Sequence, residues 1–507
     1  MIRPAFYTGR RFRAALRAFL FGRAVQGIAH FVLTLWVVRL LASGDYGVYM
    51  TLWGMAEMLV PLSSLGLLEA ARRFLPELAA RGSAVGVRLF VKWTMIARLS
   101  ILLVWAFGLA LAWGAITDWL GFSAAQASHT WQALILAVLV VAFRYSCEML
   151  ESLLEQRWSQ AVRALHPVGR LVGLAGLFLT NQVTLAWILW VEVIVSLVCL
   201  LLIEWALIRK LRALPNTDKY RVPVRKVVNF SWHLAGTNLL QSIGSGGAQR
   251  LLVARLLGLE AAGLFSFLQQ LLLIVSRYMP AQLLANVIRP MLISRLATGE
   301  HGVVSQGMAL MWKSNLAIVS ASVAVLVVAG DTIVALLSSW RFNDAGMPAL
   351  LLFIGLGATS QGQLVNMAMQ LHDKTHELRK HSLLFLLLPM AAWVGSSYGL
   401  LGLIIGIVMV KWFRYVIGMC WMRHQGVTPQ FDKPAVIRIL AVSFLAAALG
   451  YWVSLALGSW TALAVTLFLL VVGVILIRPL CYSDHILLTS VFKDKAYFLK
   501  PLVWSAR

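Results

Sequence analysis

Apolar runs of about twenty residues follow one another along almost the whole chain, and nothing else in the sequence restricts its fold so strongly. A helix of that length crosses the hydrocarbon core of a bilayer, where the backbone must satisfy its own hydrogen bonds. Fourteen runs are found, centred near residues 24–42, 47–68, 89–113, 131–150, 162–180, 183–208, 230–256, 261–287, 309–330, 347–371, 382–397, 399–421, 435–457 and 459–477. The longest connection, about 208–229, leaves no room for a soluble domain. With 60% hydrophobic and 13% charged residues, the sequence predicts an all-α integral membrane protein of about fourteen transmembrane helices.

The basic start, Met1 to Arg23, precedes an apolar run too long for the core of a signal peptide, and no small-residue cleavage site follows it. It reads as a retained first helix, led by an in-plane amphipathic stretch carrying Phe12, Leu16, Phe19 and Leu20. Cys147, Cys199, Cys420 and Cys481 lie far apart, in or beside apolar segments, and read as small buried hydrophobes. The ten histidines form no metal-binding cluster, and no phosphate-cradling GxxxxGK[ST] run is present. No cofactor is expected.

A net charge of +24 suggests either nucleic acid or an anionic membrane face, and its distribution decides. Arg and Lys crowd the N-terminal tail, the second connection (Arg72, Arg73, Arg81, Arg88) and the sixth (Arg209, Lys210, Arg212, Lys219, Arg221, Arg225, Lys226). They recur in the tenth connection (Lys374, Arg379, Lys380) and the C-terminal tail (Lys493, Lys495, Lys500, Arg507), while the odd-numbered connections are nearly bare. This positive-inside pattern puts both termini in the cytoplasm with an even number of spans. Nucleic acid is not needed to explain the charge.

The run Arg39-Leu-Leu-Ala-Ser-Gly-Asp-Tyr-Gly-Val-Tyr49 nearly recurs 216 residues later as Arg255-Leu-Leu-Gly-Leu-Glu-Ala-Ala-Gly-Leu-Phe265. A looser echo joins Arg73-Phe-Leu-Pro-Glu-Leu-Ala79 to Pro290-Met-Leu-Ile-Ser-Arg-Leu-Ala297, with one residue inserted. Six segments, an even number, separate the copies, so the halves form a parallel repeat. The expected organisation is an N-terminal lobe of six helices at 1–208, a basic cytoplasmic linker at 209–227, and a C-terminal lobe of six at 228–421. Residues 422–507 add two helices and a tail. Two such lobes with no ATP motif read as a secondary transporter that rocks between states.

The run Arg39-Leu40-Leu41 followed by Asp45-Tyr46-Gly47 and Tyr49 resembles the loop between helices one and two of bacterial polysaccharide flippases. Their superfamily also holds multidrug-and-toxin extruders and the peptidoglycan-precursor flippase. Where the family typically has Leu-Gly-Pro before the acidic–aromatic–Gly triplet, this chain has Leu-Ala-Ser-Gly; the stretch from Ser64 to Glu77 is also similar to the family's next turn. The resemblance implies flipping of a polyprenyl-pyrophosphate-linked oligosaccharide from the inner to the outer leaflet of the bacterial cytoplasmic membrane. Lipopolysaccharide O-antigen, capsule or exopolysaccharide would be the product, with a polysaccharide polymerase complex as a partner. Some members of the family are coupled to a proton or sodium gradient.

Such a cargo demands cations for its phosphates and neutral hydrogen-bonding groups for its sugars. Arg98, Arg144, Arg170, Arg250 and Arg277 lie inside segments three, four, five, seven and eight, where charge is expensive unless paired or wet. Arg39 and Arg255, near segment ends, suit snorkelling to the interface. Against a substrate role, Arg144 and Glu148 are spaced to pair, and Glu148, Glu151 and Glu155 face Arg163, His166 and Arg170 across a short turn. Asn238, Ser242, Ser245 and Gln249 make one polar face, and Thr359, Gln363, Asn366 and Gln370 a second, with Gln269 and Gln270 beside them. Either face could line a sugar path or glue helices together. Gly244, Gly246, Gly247 and Pro280 mark expected bends. Membrane carboxylates are the usual coupling groups, and Glu57, then Glu192, are the candidates.

Three alternatives compete. A multidrug exporter of the same superfamily would favour acids in its first helix, which has none. A peptidoglycan-precursor flippase would resemble this chain in helix number, but its Arg-Ser-Gly-Ala run in helix one is missing. A membrane glycan polymerase or ligase would need a large outer loop, and the outer connections here are short. The expectation is a transporter, not an enzyme.

Overall fold

The computed structural model describes residues 9–153, 155–214, 220–277, 279, 301–371, 375–424, 432–481, 484 and 503–504. It forms two compact units, Met1–Phe267 and Leu268–Arg507. The first holds α1 (Gly9–Leu40), α2 (Ser43–Ser64), α3 (Leu67–Ala80), α4 (Ala84–Leu111), α5 (Trp113–Leu120), α6 (Ala124–Ala127), α7 (Thr130–Ser152), α8 (Gln156–Leu179), α9 (Leu185–Arg212), α10 (Val224–Ile243) and most of α11 (Gly246–Arg277). In the second are α12 (His301–Leu337), α13 (Gly346–Leu371), α14 (Thr375–Leu383), a 3-10 turn at Leu384–Leu386, α15 (Leu387–Ser396), α16 (Gly399–His424), α17 (Lys433–Leu457) and α18 (Ser459–Ile477). Apart from one two-residue parallel bridge, Leu480–Cys481 to Val503–Trp504, the described structure is helical.

Eleven described helices are long and apolar enough to cross a membrane, and the bent α2–α3 pair brings the number to twelve. All fourteen apolar segments fall on helix wherever they are described. The two that no separate long helix accounts for are interrupted rather than absent. Segment seven is cut at Gly244–Ser245 into α10 and the start of α11, where the sequence places its glycines. One continuous assignment, α11, then carries on through segment eight across Gly258, whose φ of 88° and ψ of 174° are not helical. Segment eleven is the end of α14, the 3-10 turn and the ten-residue α15. Pro280 and the second echo at 290–297 lie outside the described residues. The chain is a multi-pass membrane protein.

In the first unit α1 packs on α8, α7 and α8 on α9, and α2 on α7. In the second, α12 lies against α13 and α17, and α16 against α13 and α15. Large apolar side chains such as Phe107, Phe178, Trp393, Phe444 and Trp452 are exposed around these bundles, as a lipid solvent allows.

The repeated motif has a structural reason. Ala42 and Gly258 are equivalent positions in the two copies, and each is the non-helical residue at which the chain turns (Ala42 φ −59°, ψ 155°). The copies then pack on each other reciprocally. A Cβ on Gly47 would lie 1.9 Å from the Leu259 carbonyl oxygen, and one on Gly263 would lie 3.2 Å from the Ser43 carbonyl oxygen. Gly47 is equivalent to Gly263 and Ser43 to Leu259, so the contact has local pseudo-twofold symmetry. Further along α2, Gly54 and Gly247 face each other, each Cβ position 3.1 Å or less from the other's carbonyl oxygen. Small residues at these crossings let backbones touch.

Candidate functional site

Five helices of the first unit carry acids and bases to one place. Arg250, 0% exposed on α11, donates to Glu57 of α2 at 3.1 Å, and Glu57 is 25% exposed. Nearby, Arg170 of α8 and Glu192 of α9 form a buried ion pair at 2.5 Å, exposed by 7% and 2%. Tyr49 of α2 closes this pair into a triad, donating to Glu192 at 2.6 Å and accepting from Arg170 at 2.5 Å. The Trp53 ring lies 4.8 Å from the Arg170 guanidinium. Each arginine thus has a dedicated carboxylate, as burial in a low-dielectric interior requires.

Arg144 of α7 does not. Its charged neighbours are Glu57, Arg163, Arg170 and Arg250, three of them cations, and Arg170 and Arg163 are held by other acids. Among the described residues no hydrogen bond or ion pair fixes its guanidinium. The cluster of Arg144, Arg170 and Arg250 against Glu57 and Glu192 therefore carries one positive charge more than its acids cancel. A planar guanidinium can grip an oxyanion through two N–H groups.

The pairing expected across the α7–α8 turn exists for Arg163, which donates to Glu151 at 2.9 Å and to Glu148 at 3.1 Å. Arg144 does not join it, because Glu148 accepts from Arg72 at 2.8 Å instead. Glu155 pairs with Lys210, and His166 meets Ser196 at 3.1 Å.

The remaining sequence candidates are scattered. Arg98 is buried on α4, donating to the Val60 carbonyl at 3.1 Å, with its guanidinium 4.3 Å from the Tyr145 ring. Asn238 donates to Glu69 at 3.1 Å. The rest of the first polar face is spent on the break between α10 and α11: Ser242 donates to the Leu239 carbonyl, Ser245 accepts from the Ala248 N–H, and Gln249 donates to the Gly244 carbonyl at 3.0 Å. Arg277, Gln270, Gln363 and Asn366 belong to the other compact unit. There Gln270 is buried, Gln363 exposed, and Asn366 accepts from Arg414 at 3.3 Å. Tyr49 and Trp53 were not legible as site residues, since an aromatic in an apolar helix carries no signal of its polar partner.

The sequence pattern of a family described as polysaccharide biosynthesis protein matches residues 19–294, more than half of the chain. No curated protein matches the sequence. Among solved structures, the lipid II flippase MurJ in an inward closed conformation is 9% identical, with a TM-score of 0.67 over 89% of this chain and 97% of its own. An inward-facing multidrug resistance MATE family transporter of the MOP superfamily is 14% identical, with a TM-score of 0.64 over 79% of this chain and 94% of its own. A MATE protein in a straight conformation is 16% identical, with a TM-score of 0.57 over 82% and 95%. At these identities the likeness is one of fold. The family match shows that the chain belongs to the polysaccharide biosynthesis protein family, and its fold is the one shared by the MurJ and MATE structures.

Proposed function

We propose that the protein is a secondary transporter that flips a polyprenyl-pyrophosphate-linked oligosaccharide from the cytoplasmic to the outer leaflet, for cell-surface or secreted polysaccharide. The observation that supports this reading is Arg144, whose charged neighbours are three cations, Arg163, Arg170 and Arg250, and one acid, Glu57, which pairs with Arg250. A diphosphate supplies the missing negative charge, and its lipid tail never has to leave the bilayer. A cationic drug would meet repulsion at the same place, which disfavours the multidrug reading. In this scheme Arg144 and Arg250 hold the phosphates and Glu57, part exposed on Arg250, carries the coupling proton, whereas Glu192, locked to Arg170 and Tyr49, is a structural tie. The halves at 1–208 and 228–421 act as the rocking lobes, with both termini in the cytoplasm of a bacterial inner membrane, and the motif turns at its outer face.

The test is made in the native host with the gene deleted. Diphosphate-linked oligosaccharide is quantified on each leaflet after complementation with wild type, Arg144→Gln or Glu57→Gln. Build-up on the cytoplasmic leaflet, cleared by wild type and not by Arg144→Gln, is the expected result. No build-up, with a change only in sensitivity to cationic drugs, overturns the proposal in favour of a drug exporter.

A further inference from the structure

The second unit carries two half-buried cations on a membrane helix that the site above does not use. Lys411 and Arg414 lie one turn apart on α16, ~18 and ~22 Å along its axis from Gly399, in a helix ~39 Å long. Both point toward α13: a Cβ on Gly355 of that helix would be 3.8 Å from Lys411 Cδ, and Arg414 donates to Asn366 at 3.3 Å. The Arg414 guanidinium lies 4.0 Å from the Phe385 ring, and its buried Nε has no hydrogen-bond partner. Among the described residues, Lys411 makes no hydrogen bond or ion pair, and no carboxylate acts on either cation. His381, which touches the Arg414 carbonyl oxygen at 2.8 Å, supplies no negative charge.

Two uncompensated cations at mid-helix are costly in a folded membrane protein. A structural role would be served by an acid partner, as Glu192 serves Arg170 and Glu57 serves Arg250. Beside them sit ring groups with polar edges: Trp312 Nε1 donates to the Tyr415 hydroxyl at 3.0 Å, and the Tyr415 and Trp412 rings meet edge to face at 5.6 Å. Trp412 and Phe413 are themselves exposed around α16, where acyl or prenyl chains run.

We propose that Lys411 and Arg414 form a second anion site, within Leu268–Arg507, for the phosphate or diphosphate ester of a lipid whose tail lies along α16. The site shares no residue with the Arg144 cluster and does not depend on the function assigned to it. Its ligand is either a translocating polyprenyl diphosphate or the headgroup of a resident anionic phospholipid, which present the same phosphate chemistry.

The full chain, purified in detergent, is titrated by native mass spectrometry with farnesyl diphosphate, with phosphatidylglycerol and with farnesol as the uncharged control. Lys411→Met/Arg414→Gln is expected to lose a phosphate-lipid site with about a tenfold or greater drop in affinity, to leave farnesol unchanged, and to unfold at a higher temperature than wild type when lipid is stripped away. Lys411→Met alone, which breaks no contact, is expected to show the same pattern more weakly and covers the case in which the double variant fails to fold. Preference for farnesyl diphosphate identifies a translocating ligand, and preference for phosphatidylglycerol a resident one. Phosphate-lipid binding equal to wild type in both variants, or a lower unfolding temperature in Lys411→Met, overturns the proposal. Arg144→Gln, titrated in parallel, reports separately on the first cluster: loss there with no loss in the Lys411 variants sinks this site and leaves that one standing.

Discussion

The reciprocal packing of the two motif copies predicts that two equivalent glycines respond unequally to the same substitution. At Gly47 an added Cβ would sit 1.9 Å from the Leu259 carbonyl oxygen, whereas ordinary contact begins at 3.4 Å, so the two backbones must part by about 1.5 Å. At Gly263 the corresponding distance to the Ser43 carbonyl oxygen is 3.2 Å, and a few tenths of an ångström suffice. Overpacking of the first kind costs about 1–3 kcal/mol, which is roughly a 5- to 150-fold shift toward any state in which the motifs are apart. Gly47→Ala is therefore expected to open this contact, and Gly263→Ala to leave it nearly intact. The assay is the rate at which a thiol reagent modifies Ser43→Cys, half-buried at the contact, in each background. The fully buried Cys147 and Cys199 stay unreactive, and the exposed Cys420 is replaced by serine, as is Cys481. A rate at least several-fold faster with Gly47→Ala and close to unchanged with Gly263→Ala is expected. Equal rates in the two backgrounds would show that the turns do not bear on each other as described.

Two further outcomes follow from the buried charges. Glu192→Gln strands Arg170 at 7% exposure and should cost about 3–5 kcal/mol of stability, while Tyr49→Phe, which removes one hydroxyl from the triad, should cost about 1–2 kcal/mol; thermal unfolding in detergent orders the two. By the same measurement Glu57→Gln, which takes this carboxylate from the fully enclosed Arg250, should destabilise more than Arg250→Met, which leaves a Glu57 that solvent partly serves at 25% exposure.

How far the sequence reaches depends on whether partners are near one another in the chain. The fourteen helical segments are legible because a bilayer imposes one length and one polarity on each. The break between α10 and α11 is legible because Gly244, Gly246 and Gly247 concentrate there, and the Arg163 pairs because Glu148 and Glu151 stand opposite across a short turn. The Tyr49–Arg170–Glu192 triad is not, since its members come from α2, α8 and α9 and no local spacing joins them. Spacing misleads at Arg144, which stands at i,i+4 from Glu148, because Arg72 and Arg163 reach that carboxylate from other helices. Lys411 and Arg414 carry a signal that periodicity hides: two cations at i,i+3 without an acid in register, masked by Trp412 and Phe413 between them in a strongly apolar helix.

The crossing of α2 over the α10–α11 break has a mechanical consequence. Around the break, Ser245 accepts from the Ala248 N–H and Gln249 donates to the Gly244 carbonyl, so the interruption is bridged within a few residues of chain. The surface that α2 meets there is Gly54 against Gly247, backbone against backbone, with the stems of Glu57 and Arg250 alongside. The glycines leave nothing to interlock, so what resists sliding of one helix along the other is the Arg250–Glu57 pair at 3.1 Å. The crossing is a smooth bearing with a charged catch, and any larger side chain placed at Gly54 or Gly247 turns it into a toothed one.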